Sequence, residues 1–379
     1  MRQKIGVLVI SSALASVVVT GSGPPGTEMV AGQVRPPASD DVPKFRLDPA
    51  WPKIPNNWTF GQAASVAVDA QDHVWVLHRP GSLSAEERPK AAPPVLEFDA
   101  AGNFIQGWGG PGQGYEWFQE EHGIHIDPKG YVWITGNLEK DHHILKFTKA
   151  GKFVMQIGHA GQSKGNADTK NLNRPADVFV YAKTNEAFVA DGYGNRRVIV
   201  FDADTGEFKR MWGAFGNVPS DTPPNLALAD AEENGAPQFG NPVHAARVSN
   251  DGLVYVSDRA GKRVQVFTLD GKYVKQVFIG RDCKTPECGT GTTAACTAFS
   301  PDPAQRFMYV GDRGHGTVTV FNRKTLERLD TFGQIGSAPG EFRTLHHMAT
   351  DSKGNLYVAQ ITMIRPDTRG IQKFTLVVP

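Results

Sequence analysis

The sequence lacks an excess of either charge. It has 40 lysine and arginine residues against 39 aspartate and glutamate residues, which gives a formal net charge of +1. A basic surplus that would point to nucleic acid is therefore absent, and so is an acidic tail. The chain also lacks any segment with the spacing of an amphipathic helix of useful length, whereas its 41 glycines and 26 prolines indicate many turns. These features favour a globular β protein that does not bind nucleic acid.

Long apolar runs are missing except at the N-terminus, where "MRQK" precedes a stretch of apolar and small residues. A cationic start before such a stretch is typical of a signal peptide, which we assign approximately to residues 1–30. A single membrane anchor is the alternative. No cysteine follows the run, which disfavours a lipoprotein anchor. Residues 31–43 are predicted to be a disordered leader, and the mature protein is expected to be periplasmic or secreted, without stable membrane insertion.

Cysteine is scarce as well. The only three, Cys283, Cys288 and Cys296, fall within one segment rich in glycine and threonine. In an exported protein this pattern favours one disulfide staple and one odd thiol. The spacing does not decide which two cysteines pair. A metal site in this segment is disfavoured because no histidine or further cysteine lies close by.

Internal repetition is the most informative feature that the sequence does contain. Six short runs of β-branched and aromatic residues are each followed by a second run that ends in phenylalanine. The first runs lie at 74–79, 132–137, 187–192, 254–259, 308–313 and 356–361, and the second at 95–98, 144–147, 198–201, 264–267, 318–321 and 371–374. Another apolar run precedes each pair and a fourth run follows the first five pairs. Each unit is therefore predicted to hold four strands.

Four-stranded units repeated around an axis predict an all-β fold, a six-bladed β-propeller that spans residues 44–379. The sixth unit lacks a fourth run, and "KFRLDPAW" (44–51) stands unpaired before the first unit. We predict that this N-terminal segment joins the last blade and closes the ring, which removes exposed sheet edges. An open solenoid would leave both features unexplained. A closed ring needs no partner to cover its edges, so a monomer is expected.

Three histidines occupy equivalent positions in alternate units. His122, His244 and His346 lie where the first strand of the second, fourth and sixth unit begins. The first strand of a blade lines the central channel, so these rings would approach the axis about 120° apart. Three imidazoles with one coordination position left open suit zinc or another imidazole-binding metal. A lone histidine there would more often be a hydrogen-bonded channel residue, but three equivalent ones favour a metal site.

Further candidates follow the second strand of a unit and are expected to ring the same opening of the channel. They are Arg79, Tyr193, Arg259 and Arg313. An arginine can hold a substrate carboxylate in bidentate fashion, and a tyrosinate near such cations can serve as a base. Structural ion pairs are the alternative for the arginines and the favoured interpretation for Arg313. The remaining candidates are predicted to be surface histidines: His142, His143 and His315.

The repeats resemble NHL repeats through turns such as "DGYGNRRVIVF" and "SDRAGKRVQVF". Together with "VWVLHRP", "HGIHID", "PVHAARV" and "HHMATDSKGNLYV", they make the chain similar to peptidyl-α-hydroxyglycine α-amidating lyase. That family has a six-bladed propeller with a channel zinc and a structural calcium, and it cleaves a peptidyl-α-hydroxyglycine into a peptide amide and glyoxylate. The resemblance implies zinc ligands at His122, His244 and His346, a catalytic Tyr193, and active-site arginines at Arg79 and Arg259.

The resemblance also implies calcium bound through backbone carbonyls near Val66 and Ile124. One position departs from the family, because His347 stands where the family has an aspartate that binds calcium. Calcium prefers carboxylate oxygen to imidazole, so this substitution disfavours the calcium site. Neighbouring strand residues point to opposite sides, which predicts that His346 faces the metal and His347 faces the space between strands. There His347 would support the metal ligands by a hydrogen bond or mark a relative without calcium.

The expected function is a metal-dependent lyase that converts an α-hydroxyglycine-type carbinolamide, in a peptide or a small molecule, into an amide and glyoxylate. Two alternatives stay open. A lactonase-like propeller hydrolase would hold calcium among carboxylates and asparagines. Here the positions at which the first strand of each unit begins are rich in histidine and poor in acidic residues. A non-catalytic binding or scaffold propeller is consistent with the altered calcium position, but it leaves the three histidines unexplained.

Overall fold

The computed structural model describes residues 41–284, 292–361 and 370–377. Within these ranges the strands form six four-stranded sheets and the helices are a few residues long, which confirms the predicted all-β, six-bladed propeller. The predicted signal peptide and the leader up to residue 40 lie outside the described residues. No helix in the described part of the chain is long and apolar enough to cross a membrane.

The chain enters each of the first five blades at the channel and leaves it at the rim. The first blade holds β2 (Gln62–Val68), β3 (Val74–Arg79), β4 (Val95–Phe98) and β5 (Phe104–Trp108), and the second holds β6 (Glu121–Ile126), β7 (Tyr131–Gly136), β8 (His143–Thr148) and β9 (Phe153–Gly158). The third blade holds β10 (Asp177–Tyr181), β11 (Glu186–Asp191), β12 (Arg197–Asp202) and β13 (Phe208–Trp212), and the fourth holds β14 (Val243–Val248), β15 (Leu253–Asp258), β16 (Arg263–Thr268) and β17 (Tyr273–Phe278). The fifth blade holds β18 (Ala294–Phe299), β19 (Phe307–Asp312), β20 (Thr317–Asn322) and β21 (Arg328–Phe332), and the sixth holds β22 (Leu345–Thr350), β23 (Leu356–Gln360) and β24 (Ile371–Val377) together with the N-terminal β1 (Lys44–Asp48). The short helices are α1 (Leu228–Ala231) and 3-10 turns at Pro80–Ser82, Arg88–Lys90 and Ala214–Gly216.

The sixth blade combines both ends of the propeller. β1 pairs antiparallel with β24, from Lys44 opposite Val377 to Asp48 opposite Lys373. The order of this sheet, from rim to channel, is therefore β1, β24, β23 and β22. The N-terminal segment thus supplies the fourth strand that the last unit of the sequence lacks.

Apolar side chains from facing sheets fill the wedges between blades. Trp75 and Leu77 of the first blade pack with Ile124 of the second, and Tyr357 and Ile371 of the sixth blade pack with residues of the first. These side chains are almost completely buried. Burial of a large apolar side chain stabilises the fold by about 1.5–3 kcal/mol, so the wedges hold the inner strands at fixed positions around the channel.

Buried ion pairs brace the two turns that carry the NHL-like sequence motif. Arg197 Nε donates to Asp191 Oδ2 at 2.9 Å, and Arg263 Nε donates to Asp258 Oδ2 at 2.9 Å. All four side chains are fully buried. The remaining guanidinium N–H groups donate to backbone carbonyls of the preceding loops. These pairs fix the turns that hold Tyr193 and Arg259 at the mouth of the channel.

The cysteines are only partly described. Cys296 is buried and free, which agrees with one odd thiol among the three. Cys288 lies outside the described residues. The disulfide staple therefore stays a prediction.

Candidate metal centre and active site

A β-bulge at the start of the inner strand positions each of the three predicted histidines. The pairing register between the inner strand and the second strand shifts at the start of β6, β14 and β22. His122, His244 and His346 lie within these shifts, and all three rings are fully buried. A bulge leaves a residue out of the ladder and redirects its side chain.

The three rings meet at the channel axis. The ring centroids are 5.0 Å apart for His122 and His244, 4.5 Å for His122 and His346, and 4.6 Å for His244 and His346. The Nε2 atoms of His244 and His346 are 3.1 Å apart. Side chains from alternate blades therefore converge, as their equivalent positions in the repeated units predict.

Backbone carbonyls from the other three blades orient these rings. Each Nδ1 atom lies within hydrogen-bond distance of one alanine carbonyl of the next blade. The pairs are His122 with Ala176 at 2.6 Å, His244 with Ala295 at 2.6 Å, and His346 with Ala64 at 2.5 Å. Because a carbonyl oxygen only accepts, each Nδ1 carries the proton and donates it. In the neutral ring, Nε2 then carries a lone pair that points into the cluster.

The cluster therefore presents lone pairs to one another at short distance. Burial is the largest cause that holds the pKa values of His122, His244 and His346 well below the usual 6.5, and neighbouring charged groups lower them further. The rings are accordingly neutral near pH 7. Two nitrogen lone pairs 3.1 Å apart repel each other unless a cation lies between them. This donor set fits zinc, which binds neutral imidazole nitrogen at about 2.0–2.1 Å.

His347 lies in the same cluster. It is fully buried, and its ring centroid is 4.9 Å from that of His346 and 5.0 Å from that of His244. Strand alternation predicts that it faces the space between strands, but the register shift between Leu345 and His347 interrupts the alternation and brings both histidine rings into one group. Neither ring nitrogen of His347 has a hydrogen-bond partner among the described residues.

The positions that the resemblance assigns to calcium lie at a cavity with charged residues. Val66 and Ile124 line a cavity of about 360 Å³ that Arg247 lines as well. Arg247 Nη1 donates to Asp177 Oδ2 in a buried ion pair, so this carboxylate already has a cationic partner. Asp69 and Asp127 line this cavity as well, and Asp177 Oδ1 is buried without a hydrogen-bond partner among the described residues, so carboxylate oxygen is present in this region. Calcium at this place stays an expectation from the resemblance, which the imidazole at position 347 disfavours.

Tyr193 joins the cluster to a cation. Its hydroxyl oxygen is 2.9 Å from His122 Nε2 and 3.1 Å from Arg259 Nη1. Since His122 Nδ1 is the protonated nitrogen, the tyrosine O–H donates to Nε2, and the arginine N–H donates to the tyrosine oxygen. The guanidinium of Arg259 also lies 5.3 Å from the centroid of the tyrosine ring. One phenol oxygen is thus held between a candidate metal ligand and a positive charge.

Arg79 is anchored from several sides at the same mouth. Its Nε donates to the Glu121 carbonyl at 2.7 Å, and its two terminal nitrogens donate to Gln62 Oε1 and Asn137 Oδ1. Glu120 forms an ion pair with it at 3.1 Å. Burial lowers the pKa of Arg79, and the charge of Glu120 opposes that shift. Arg79 is therefore held at the mouth with little freedom to move.

Arg313, for which a structural role is the favoured interpretation, lies beside Arg259 at the mouth of the channel. Its backbone N–H donates to the Thr293 carbonyl, and the Thr293 N–H donates to the Arg259 carbonyl, so the two arginines belong to one corner of the mouth. The Nε atoms of both Arg259 and Arg313 are buried without a hydrogen-bond partner among the described residues. Burial, and then the charge of Arg259, lower the pKa of Arg313. The shared pattern "SDR" and "GDR" is the sequence signal that relates them.

One predicted surface histidine is in fact part of the interior. His143 is fully buried, its ring stacks on Phe118 at 4.8 Å, and its Nε2 hydrogen-bonds to the Glu116 carbonyl at 2.7 Å. It opens β8, where the alternation of the strand turns it inward. His142 and His315 are partly exposed.

No protein-family model matches the chain. Human NHL repeat-containing protein 3 is 28% identical over 327 residues, which cover 84% of this chain and 81% of that protein. Peptidyl-alpha-hydroxyglycine alpha-amidating lyase 1 of Drosophila melanogaster is 25% identical over 353 residues, covering 83% of this chain and 58% of the fly protein. A probable peptidyl-alpha-hydroxyglycine alpha-amidating lyase of Caenorhabditis elegans is 32% identical over 152 residues, 40% of this chain and 37% of that protein. The chain is thus a six-bladed β-propeller of NHL-like units whose homologues include NHL repeat-containing protein 3 and peptidyl-α-hydroxyglycine α-amidating lyases.

Proposed function

We propose that the protein is a metal-dependent lyase that cleaves the N–C bond of an α-hydroxyglycine-type carbinolamide and releases an amide and glyoxylate. The observation that carries this proposal is the pair of inward-pointing lone pairs on His244 and His346, 3.1 Å apart, beside a tyrosine oxygen that contacts both His122 and Arg259. The names of the fly and nematode relatives describe amidating lyases that act on peptidyl-alpha-hydroxyglycine, which supports the proposal. A binding module that holds no metal would have no need to set neutral imidazoles against each other.

His122, His244 and His346 would hold zinc. A zinc ion bound there would supply a Lewis acid that lowers the pKa of a substrate hydroxyl. Tyr193 is the chain's own proton-transfer group, because its oxygen lies at the edge of the histidine cluster, 2.9 Å from His122 Nε2. An ion on that nitrogen would take the lone pair that otherwise accepts the tyrosine O–H, so the phenol oxygen would be available to the substrate. As phenolate it accepts the proton of the substrate hydroxyl while the C–N bond breaks and the carbonyl of glyoxylate forms. It then returns that proton to the departing amide nitrogen, so no other reactant is consumed.

Arg259 stabilises the charge that this cycle places on the tyrosine oxygen, since its Nη1 donates to that oxygen at 3.1 Å. A charge-assisted hydrogen bond of this kind is roughly twice as strong as a neutral one. The unpartnered Nε atoms of Arg259 and Arg313 leave guanidinium donors available for an anion. The α-carboxylate of a hydroxyglycine is such an anion, and bidentate binding would set its orientation.

The test is a direct assay of turnover. Purified protein is incubated with an N-acyl-α-hydroxyglycine such as α-hydroxyhippurate, and glyoxylate is measured against a heat-inactivated control for spontaneous cleavage. We expect enzyme-dependent glyoxylate and the primary amide in equal amounts, and no product from the N-acylglycine that lacks the hydroxyl. Hydrolysis of a lactone without glyoxylate release would favour a hydrolase. If the metal-loaded protein shows neither activity, the binding-module alternative is favoured and the proposal is overturned.

A further inference from the structure

We propose that His347 is a fourth imidazole ligand of the same metal centre, an inference that rests on the proposed function only for the presence of the ion. His347 is fully buried, and both of its ring nitrogens lack a hydrogen-bond partner among the described residues. Buried polar atoms are rarely left unpaired in folded proteins. A histidine with two such atoms therefore calls for a ligand.

The surroundings of His347 point to a metal as that ligand. One ring nitrogen from each of His122, His244, His346 and His347 can be chosen so that all four lie within 4.8 Å of one another. The ring of His347 stacks on that of His244 with an interplanar angle of 26° and lies 5.5 Å from that of His122. A metal at the centre of the three inward-pointing Nε2 atoms would thus have a fourth imidazole beside it.

The neighbours of His347 support ligation rather than an ion pair, because the other members of its cluster are imidazoles and none is a carboxylate. Arg247 directs Nη1 to Asp177 and to the Ala246 carbonyl.

The bulge explains why two consecutive residues can bind one ion. In a regular strand the side chains of His346 and His347 would point to opposite sides. The register shift between Leu345 and His347 removes that constraint at this position. The same substitution that replaces the aspartate of the resembling family by His347 adds a nitrogen donor to the cluster. Zinc can expand its coordination beyond four ligands during reaction, so a four-histidine centre does not exclude a bound substrate.

The experiment compares wild type with His347→Ala and with His347→Gln, which keeps most of the side-chain volume. Zinc affinity is measured by competition with a chromophoric chelator, and the visible spectrum of the Co²⁺-substituted protein reports the donor set. His125→Ala is the matched control, because His125 is another inner-strand histidine with an unpartnered Nε2, but it packs on Phe179 at 4.7 Å.

We expect both His347 variants to bind zinc at least about 100-fold more weakly, since loss of even an outer hydrogen-bonding partner of a ligand costs about 10–100-fold. Their Co²⁺ spectra should shift, whereas His125→Ala should match wild type in both measurements. If wild type binds one ion and the His347 variants bind it equally well with an unchanged spectrum, the fourth ligand is overturned while the proposed lyase stands. If wild type binds no ion, the inference and the metal-dependent function are both overturned.

Discussion

Tyr193→Phe is expected to lower kcat for glyoxylate release by about 10²–10⁴-fold, the usual contribution of a positioned proton-transfer group. The substitution removes only the oxygen that lies between His122 Nε2 and Arg259 Nη1. The histidine rings keep their carbonyl partners, so metal content should not change. The measurement is steady-state kinetics on an N-acyl-α-hydroxyglycine, with metal analysis of the same preparation.

Tyr181→Phe is the matched control for this prediction. The hydroxyl of Tyr181 lies 3.3 Å from the Asn250 carbonyl at the far end of β10 and does not belong to the histidine cluster. Its loss should leave kcat within about twofold of wild type, because this hydroxyl contacts neither the histidines nor Arg259, and the lost hydrogen bond should lower stability by only about 1 kcal/mol. Equal kcat values for Tyr193→Phe and wild type would show that Tyr193 does not carry the proton.

Asp191→Ala is expected to lower the free energy of unfolding by about 3–5 kcal/mol, because it leaves the buried charge of Arg197 without its partner. Both side chains are fully buried. The Asp191 carboxylate also accepts hydrogen bonds from the Asn173 backbone and from Asn195 Nδ2, which would lose their acceptor. Urea unfolding followed by tryptophan fluorescence gives the change in midpoint and in free energy.

Asp312→Ala provides the comparison in the fifth blade. Asp312 occupies the equivalent end of β19, but it pairs with Thr317 in register and contacts His315, whose side chain is one-third exposed. Asp312 also accepts hydrogen bonds from the backbone N–H groups of Gly314 and His315. Its removal leaves no buried arginine without an ion-pair partner among the described residues, so a smaller loss of about 1–3 kcal/mol is expected. If the two substitutions destabilise the protein equally, the buried arginine is not what makes the aspartate of the third blade important.

The six-unit architecture and the meeting of His122, His244 and His346 could be predicted because both depend on periodicity. Runs such as 74–79 and 254–259 recur with the same pattern. Residues at equivalent positions of the first strand in alternate units must therefore line the same channel. The predicted fold and the geometric convergence of these histidines agree with the structure.

The finer parts of the site could not be read from the sequence for physical reasons. A β-bulge depends on how two strands pair, so the placement of His347 beside His346 is invisible to strand alternation. The carbonyls of Ala64, Ala176 and Ala295 orient the rings, but any residue has a carbonyl, so no side chain marks them. Arg247 of the fourth blade forms its ion pair with Asp177 of the third blade. No local sequence motif encodes a contact between residues this far apart in the chain.

The most direct test of the account is the metal content of the purified protein. Elemental analysis of the chain produced in metal-supplemented medium and freed of loosely bound ions should find about one zinc or other transition-metal ion per chain. In His244→Ala the content should fall to near zero, because this substitution removes one of the two facing lone pairs, while His125→Ala should retain the ion. A wild-type protein that contains no metal, and binds none when zinc is added, would contradict the central claim that the histidines of alternate blades hold an ion at the channel axis.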